Sequence, residues 1–158
     1  MDTDLKTVQT RDVDLIWSIV FQPDLWETVS EDNPPTFRPE VISEAWVLIT
    51  NKDEPIGCYN LHSLNKITWQ IHAFILPEHR EHAKQSGRLI LRWALDNLDF
   101  RKIQAVIPAL YPNVYHFTLH QGFTDEGLSR KSYMKNNKLH DQHYLGITRD
   151  EVEALFHD

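Results

Sequence analysis

Ile75-Leu76-Pro77-Glu78-His79-Arg80-Glu81-His82-Ala83-Lys84-Gln85-Ser86-Gly87-Arg88-Leu89 is the stretch in which the hydrophobic period of this chain changes. Upstream of it Ile67, Trp69, Ile71, Ala73 and Ile75 occupy every second position, which predicts a strand over 67–76 with one apolar face. Downstream, Ala83, Ile90, Leu91, Ala94, Leu95 and Leu98 recur at helical spacing, which predicts a helix from Glu78 to Leu98. Pro77 closes the strand, and Glu78 and Glu81 suit the first turn of the helix. A strand that runs into a helix N-terminus presents unpaired backbone N–H groups to an anion. Arg80, Lys84, Arg88 and Arg92 follow at four-residue spacing. That basic stripe either solvates the exposed helix face or helps the amides hold an anion, and diphosphate is one ligand it would suit.

On the N-terminal side, residues 5–10 alternate as a short strand, and Thr10 with Asp12 offers a helix start. Leu15, Ile16, Ile19 and Val20 keep helical spacing, and Pro23 ends or kinks that helix before a second turn carrying Leu25 and Trp26. The runs WVLIT (46–50) and IGCYNLH (56–62) flank Asn51-Lys52-Asp53-Glu54 as an antiparallel hairpin. On the C-terminal side, KIQAVIPAL predicts a buried strand over 102–110. A short helix through Tyr115, Phe117 and Leu119 then ends at Gly122. Two strands, 127–134 and 143–148, join through Asn136-Asn137, and Arg149-Asp150-Glu151 opens a final helical turn. The order is β-α-(α)-β-β-β-α-β-α-β-β, a single α/β domain over 1–158; the turn-rich residues 30–35 separate elements rather than domains.

Composition narrows the function. The chain has 158 residues, 41% of them hydrophobic, with seven Phe, five Tyr and five Trp, enough to bury roughly 70% of the unfolded surface. A formal charge of -7 disfavours non-specific binding to nucleic acid or to an anionic membrane, so neither is an expected partner. No apolar run reaches the length of a membrane span and the N-terminus lacks signal-peptide character, which leads to the expectation of a cytoplasmic protein. Cys58 is the sole cysteine and reads as a buried strand thiol, in keeping with a reducing compartment. His79/His82 and His116/His120 could each share a helix face. With no third ligand, no cysteine pair and no Glu in His116-Phe117-Thr118-Leu119-His120, no metal is expected. A Ser-His-Asp order, a nucleophile elbow and a Walker loop are all absent.

The element order, the ILPEHR segment at 75–80 and Gln121-Gly122-Phe123-Thr124-Asp125-Glu126-Gly127 resemble the GNAT superfamily of acyl-CoA-dependent N-acyltransferases. Asp141 and the ITRDE ending at 147–151 look like its ribosomal-protein alanine acetyltransferase branch. The resemblance implies a mixed, mostly antiparallel sheet flanked by helices and splayed at its two central strands, 67–76 and 102–110. It implies acetyl-CoA as donor, an amine as acceptor, pantetheine beside Phe74, Ile75 and Leu76, and the pyrophosphate held by Arg80, Glu81, His82, Ala83, Lys84 and Gln85. Where the family pattern has glycine, this chain has Ala83 and Gln85. Its thiolate-protonating Tyr position holds Thr118, and its usual Asn position holds Tyr111, with Asn113 two residues on.

For chemistry on an amine the candidate base is His72, near the acceptor side of the central strand, and Tyr111 and Tyr133 are candidate acids for the thiolate. The alternative is packing: a hydrogen-bonded strand histidine and two aromatics with a satisfied hydroxyl. The substituted glycines favour a second expectation, a catalytically inactive binding or assembly protein of the same fold with a protein partner. A weaker resemblance to small tailed-phage proteins, and hence a host-cytoplasm location, belongs with it. An exposed aromatic patch drawn from Trp26, Trp46 or Phe37 would mark such a partner surface.

Overall fold

The computed structural model describes residues 4–32 and 39–157; Phe37 lies outside them. Its elements are β1 (Leu5–Gln9), α1 (Val13–Val20), α2 (Pro23–Val29), β2 (Glu44–Asn51), β3 (Glu54–Ser63), β4 (Thr68–Ile75), α3 (Ala83–Asn97), β5 (Lys102–Pro108), α4 (Pro112–His120), β6 (Thr124–Lys135), β7 (Lys138–Thr148) and α5 (Arg149–Ala154). The strands form one sheet in the order β1-β2-β3-β4-β5-β7-β6. Every neighbouring pair is antiparallel except β4 and β5, which are parallel and joined by α3.

Local chemistry explains the boundaries. Asp12 caps α1 by accepting the Leu15 N–H at 3.1 Å, and Thr148 with Glu151 forms a reciprocal capping box at α5. Lys52 and Asp53 in the β2–β3 turn, and Asn136 and Asn137 in the β6–β7 turn, all take positive φ, as tight hairpin turns of this hand require. Gly122 follows α4 with φ 111 and returns its N–H to Leu119 at 3.0 Å. The hairpin strands are longer than the pattern predicts, because polar residues at 124–127 and 138–142 continue the ladder where one edge is solvated.

The sheet separates two cores. On one face Val47, Ile49, Tyr59 and Leu61 pack with Ile90, Leu91 and Ala94 of α3; on the other Trp46, Leu48 and Cys58 pack with Ile16, Ile19 and Val20 of α1. Cys58 is fully buried, and burial pushes its thiol pKa up to about 12. Of the expected apolar row on β4, Trp69, Ile71 and Ile75 pack against the α3-side core. Ile67 instead precedes the strand and is exposed, its carbonyl accepting the Arg101 and Lys102 N–H groups, and Ala73 is exposed as well.

The segment after β4 departs from the single helix expected over 78–98. Pro77–His82 forms a 3-10 turn with His79 off helical geometry, and the α-helix begins only at Ala83. Glu78 and Glu81 therefore precede the α-helix, whose first turn holds no acid. Arg80 leaves the line of Lys84, Arg88 and Arg92, because a 3-10 turn advances with a shorter period.

Lys135 fastens α2 to the β6–β7 hairpin. Its ammonium, with the side chain almost wholly buried, donates to the carbonyls of Glu27 and Ser30 at 2.8 and 2.7 Å and lies 3.4 Å from the Glu27 carboxylate. It thus satisfies carbonyls left open at the α2 C-terminus. Asp32 reinforces the join by accepting the N–H groups of Asn136 and Asn137. Lys135→Met leaves those carbonyls unpaired, so chemical denaturation is expected to show a loss of about 1–3 kcal/mol.

Candidate functional site

The parallel neighbours β4 and β5 pair only over Thr68–Gln70 against Lys102–Gln104, although both continue well beyond. At the fork Gln104 Nε2 donates to Gln70 Oε1 at 3.2 Å. Leu76 donates its N–H to Ile56 at 3.0 Å, which fixes the phase of the β3–β4 ladder: Gln70, His72 and Phe74 spend their main-chain groups on β3. The Ile71 carbonyl and the main-chain groups of Ala73 and Ile75 therefore point into the gap that β5 has left. Gly57 permits this path, since a Cβ there would sit 2.6 Å from the Phe74 carbonyl oxygen and 2.8 Å from Ile75 Cα.

A cavity of about 1050 Å³ occupies the gap. Its wall takes Ile71, Ala83 and Ile90 from the α3 side of the sheet and Trp26, Trp46 and His72 from the α1–α2 side, so it passes through the sheet at the divergence. Among the described residues Arg80 is the one lysine or arginine on this wall and Glu44 the one carboxylate.

Strand register assembles the polar end. Glu44, His62, Gln70 and Gln104 form one row across β2, β3, β4 and β5, and Trp46, Asn60 and His72 form the next. Glu44 Oε2 accepts from Trp46 Nε1 at 3.2 Å and from Asn60 Nδ2 at 3.0 Å. Asn60 Oδ1 lies 3.2 Å from His62 Nδ1, the His62 and His72 rings stack at 5.4 Å, and His72 Nε2 lies 3.4 Å from Gln70 Nε2. The third row, Leu48, Cys58 and Phe74, is apolar. One sheet face thus changes from apolar under α1 to polar beside the gap.

The structure brings His72, Tyr111, Tyr133, Phe74, Ile75, Arg80, Ala83 and Asn113 to this wall. Leu76 belongs to the α1-side core, and Glu81, His82, Lys84 and Gln85 do not border the cavity. Glu81 faces His82 at 3.5 Å, and the Lys84 carbonyl accepts from Gln121. Burial, then the neighbouring His62, lowers the His72 pKa to about 4. Tyr133 arrives through a bulge at 130–132, where Lys131 takes φ 52 and donates its N–H to Asp141. Its hydroxyl is buried with no hydrogen-bond partner among the described residues. Burial first, then Tyr111, Glu31 and Asp32, hold its pKa above the usual phenol range.

Thr118, at the position where the resemblance places a tyrosine, returns its hydroxyl to the Val114 carbonyl at 2.8 Å. Trp46 is 1% exposed and Trp26 half-buried, so neither forms an exposed aromatic patch. Among the described residues no group of three His, Cys, Asp or Glu could hold a metal, and no helix is long and apolar enough to cross a membrane.

No family model and no curated protein sequence matches the chain. Solved structures do. A spermidine N-acetyltransferase of Vibrio cholerae in complex with CoA and spermine superposes with a TM-score of 0.81 at 15% identity, covering 96% of this chain and 99% of that one. This chain has the GNAT fold. A dodecameric structure of the Vibrio cholerae enzyme in an intermediate state gives a TM-score of 0.79 at 15% identity, over 98% and 99% of the two chains. A chimera of that enzyme with hSSAT gives 0.75 at 18%, over 96% and 99%. At these identities the likeness establishes the fold and not a branch within it.

The low pKa of His72 makes acid stability a readout. Between about pH 6.5 and about pH 5 the unfolded chain binds a proton at this residue that the folded chain refuses, so stability falls as pH falls. His72→Gln removes this contribution. Thermal melts at the two pH values are expected to show a smaller acid loss in the variant, by on the order of 2 kcal/mol.

Proposed function

We propose that this protein transfers an acyl group, acetyl in the simplest case, from an acyl-CoA thioester to a primary amine. The observation that carries the reading is the cavity through the sheet, with Arg80 as its cation and Glu44 as its carboxylate. The residues present fit an acyl-CoA. The Ile71 carbonyl and the main-chain groups of Ala73 and Ile75, past the last β4–β5 pair, offer an extended pantetheine arm the hydrogen bonds of an added strand. Arg80 stands just before the α3 N-terminus and suits a diphosphate. Ala83 adds only a methyl group to the wall, and Gln85 stays off it, so the substituted glycine positions leave the passage open.

The thioester supplies an activated carbonyl and a sulfur leaving group; the chain supplies position and protons. Tyr133 keeps its proton across the physiological range and turns an unpaired hydroxyl on the cavity, with Tyr111 beside it, so it can donate to a developing thiolate. The His72 and His62 rings stack on the opposite side of the gap, where an ammonium would lose its proton, and burial holds His72 neutral. The Glu44 carboxylate attracts that cation. A neighbour of the same fold was crystallised with CoA and with spermine, an amine, which agrees with a CoA donor and an amine acceptor.

Calorimetric titration with acetyl-CoA tests the reading. Micromolar binding is expected, weakened about tenfold or more in Arg80→Glu, where one reversed charge costs upward of about 1.4 kcal/mol. A wild-type protein with intact melting behaviour and no heat at millimolar ligand would sink the proposal.

A further inference from the structure

The two imidazoles of the acceptor side are wired in opposite senses. Because Gln104 Nε2 donates to Gln70 Oε1, it is the Gln70 amide nitrogen that turns toward His72 Nε2. That ring nitrogen is an acceptor, its lone pair is engaged, and the His72 proton sits on Nδ1. Around His62 the order is reversed. Asn60 gives its Nδ2 hydrogen to the Glu44 carboxylate and so turns Oδ1 to His62 Nδ1, which must carry the proton. His62 Nε2 is then a lone pair with no hydrogen-bond partner among the described residues, on a side chain that borders the cavity.

We infer that His62 Nε2 is the base that takes the proton from the acceptor amine, with Asn60 and Glu44 as positioning residues that fix its tautomer. The inference rests on the acyl-transfer reading and names which imidazole of the pair acts. Glu44 on β2 accepts from Asn60, His72 on β4 stacks on His62, and Gln70 on β4 stands opposite His62 in the ladder. When His62 gains a proton, the carboxylate behind Asn60 stabilises the imidazolium through the same hydrogen bonds. His72 is poorly placed for this role, since the Gln70 amide engages its Nε2 lone pair and burial holds the ring neutral.

The proton balance is complete. An ammonium gives one proton to His62 Nε2, and the freed nitrogen lone pair forms the C–N bond to the thioester carbonyl carbon. The C–S bond breaks with its electron pair on sulfur, Tyr133 gives that sulfur its hydroxyl proton, and the second nitrogen-borne proton restores the Tyr133 hydroxyl. The proton on His62 is the single net proton released to water.

Long-range 1H–15N NMR of the imidazoles reads the tautomers without any acceptor. The expected result is a protonated Nδ1 and bare Nε2 at His62, lost in Asn60→Leu; a protonated Nε2 at His62 in the wild-type protein overturns the inference. Kinetics with acetyl-CoA and either spermine or a peptide bearing a free N-terminal alanine give the second readout. His62→Gln is expected to lower kcat about 10²–10⁴-fold and to abolish the acid limb of the pH profile, whereas His72→Gln keeps that limb whatever its effect on rate. An acid limb that survives in His62→Gln overturns the inference alone, provided acetyl-CoA still binds. Failure of the wild-type protein to bind acetyl-CoA overturns the acyl-transfer reading and this inference with it.

Discussion

Two parallel strands that stop pairing after three residues set everything else in this molecule. β4 and β5 are held at their start by the ladder and by the amide contact between Gln70 and Gln104. Beyond that point each keeps its antiparallel partner on the outer side, β3 for one and β7 for the other. The sheet therefore stays intact as a scaffold while its middle opens. Backbone polar groups in the opening have no sheet partner, and a buried strand edge is costly unless something covers it. An extended ligand arm is a natural cover.

The opening joins two chemically different faces. On the α3 side the wall is mostly aliphatic and Arg80 stands at the entry to the helix. On the α1–α2 side β2 and β3 contribute polar residues at matching register, so the side chains of Glu44, Asn60 and His62 reach one another without any loop to place them. Sites built on strands are held more rigidly than sites built on loops, because neighbouring ladders fix their backbones. Tyr133 enters from the far edge of the sheet, and the clamp of Lys135 and Asp32 ties its hairpin to α2.

Most of the architecture was legible in the sequence because each element carried a period and a punctuation mark: the alternating run before Pro77, the apolar helix face after it, Gly122 behind α4 and the turn residues of both hairpins. The 3-10 turn at 77–82 was not, since PEHREH satisfies a helical pattern and only the geometry of the chain leaving β4 breaks it. His72, Tyr111, Tyr133 and Arg80 could be named from position along the chain. Glu44, Asn60, His62, Gln70 and Gln104 were missed, because they become one cluster only through register between strands far apart in sequence. Their signal was present as polar residues at alternate positions near the ends of otherwise apolar strands.

The separation of the two cores by β2 bears on how this chain can vary in length. Trp46 and Leu48 face α1, while Val47 and Ile49 face α3, and the ladder with β3 holds that alternation until it shifts between Ile49 and Thr50. Losing or gaining one residue before that shift would exchange the two sets and turn the Glu44 carboxylate from the cavity toward the α3-side core. Insertions and deletions are thus confined to the turns and to the far side of the shift.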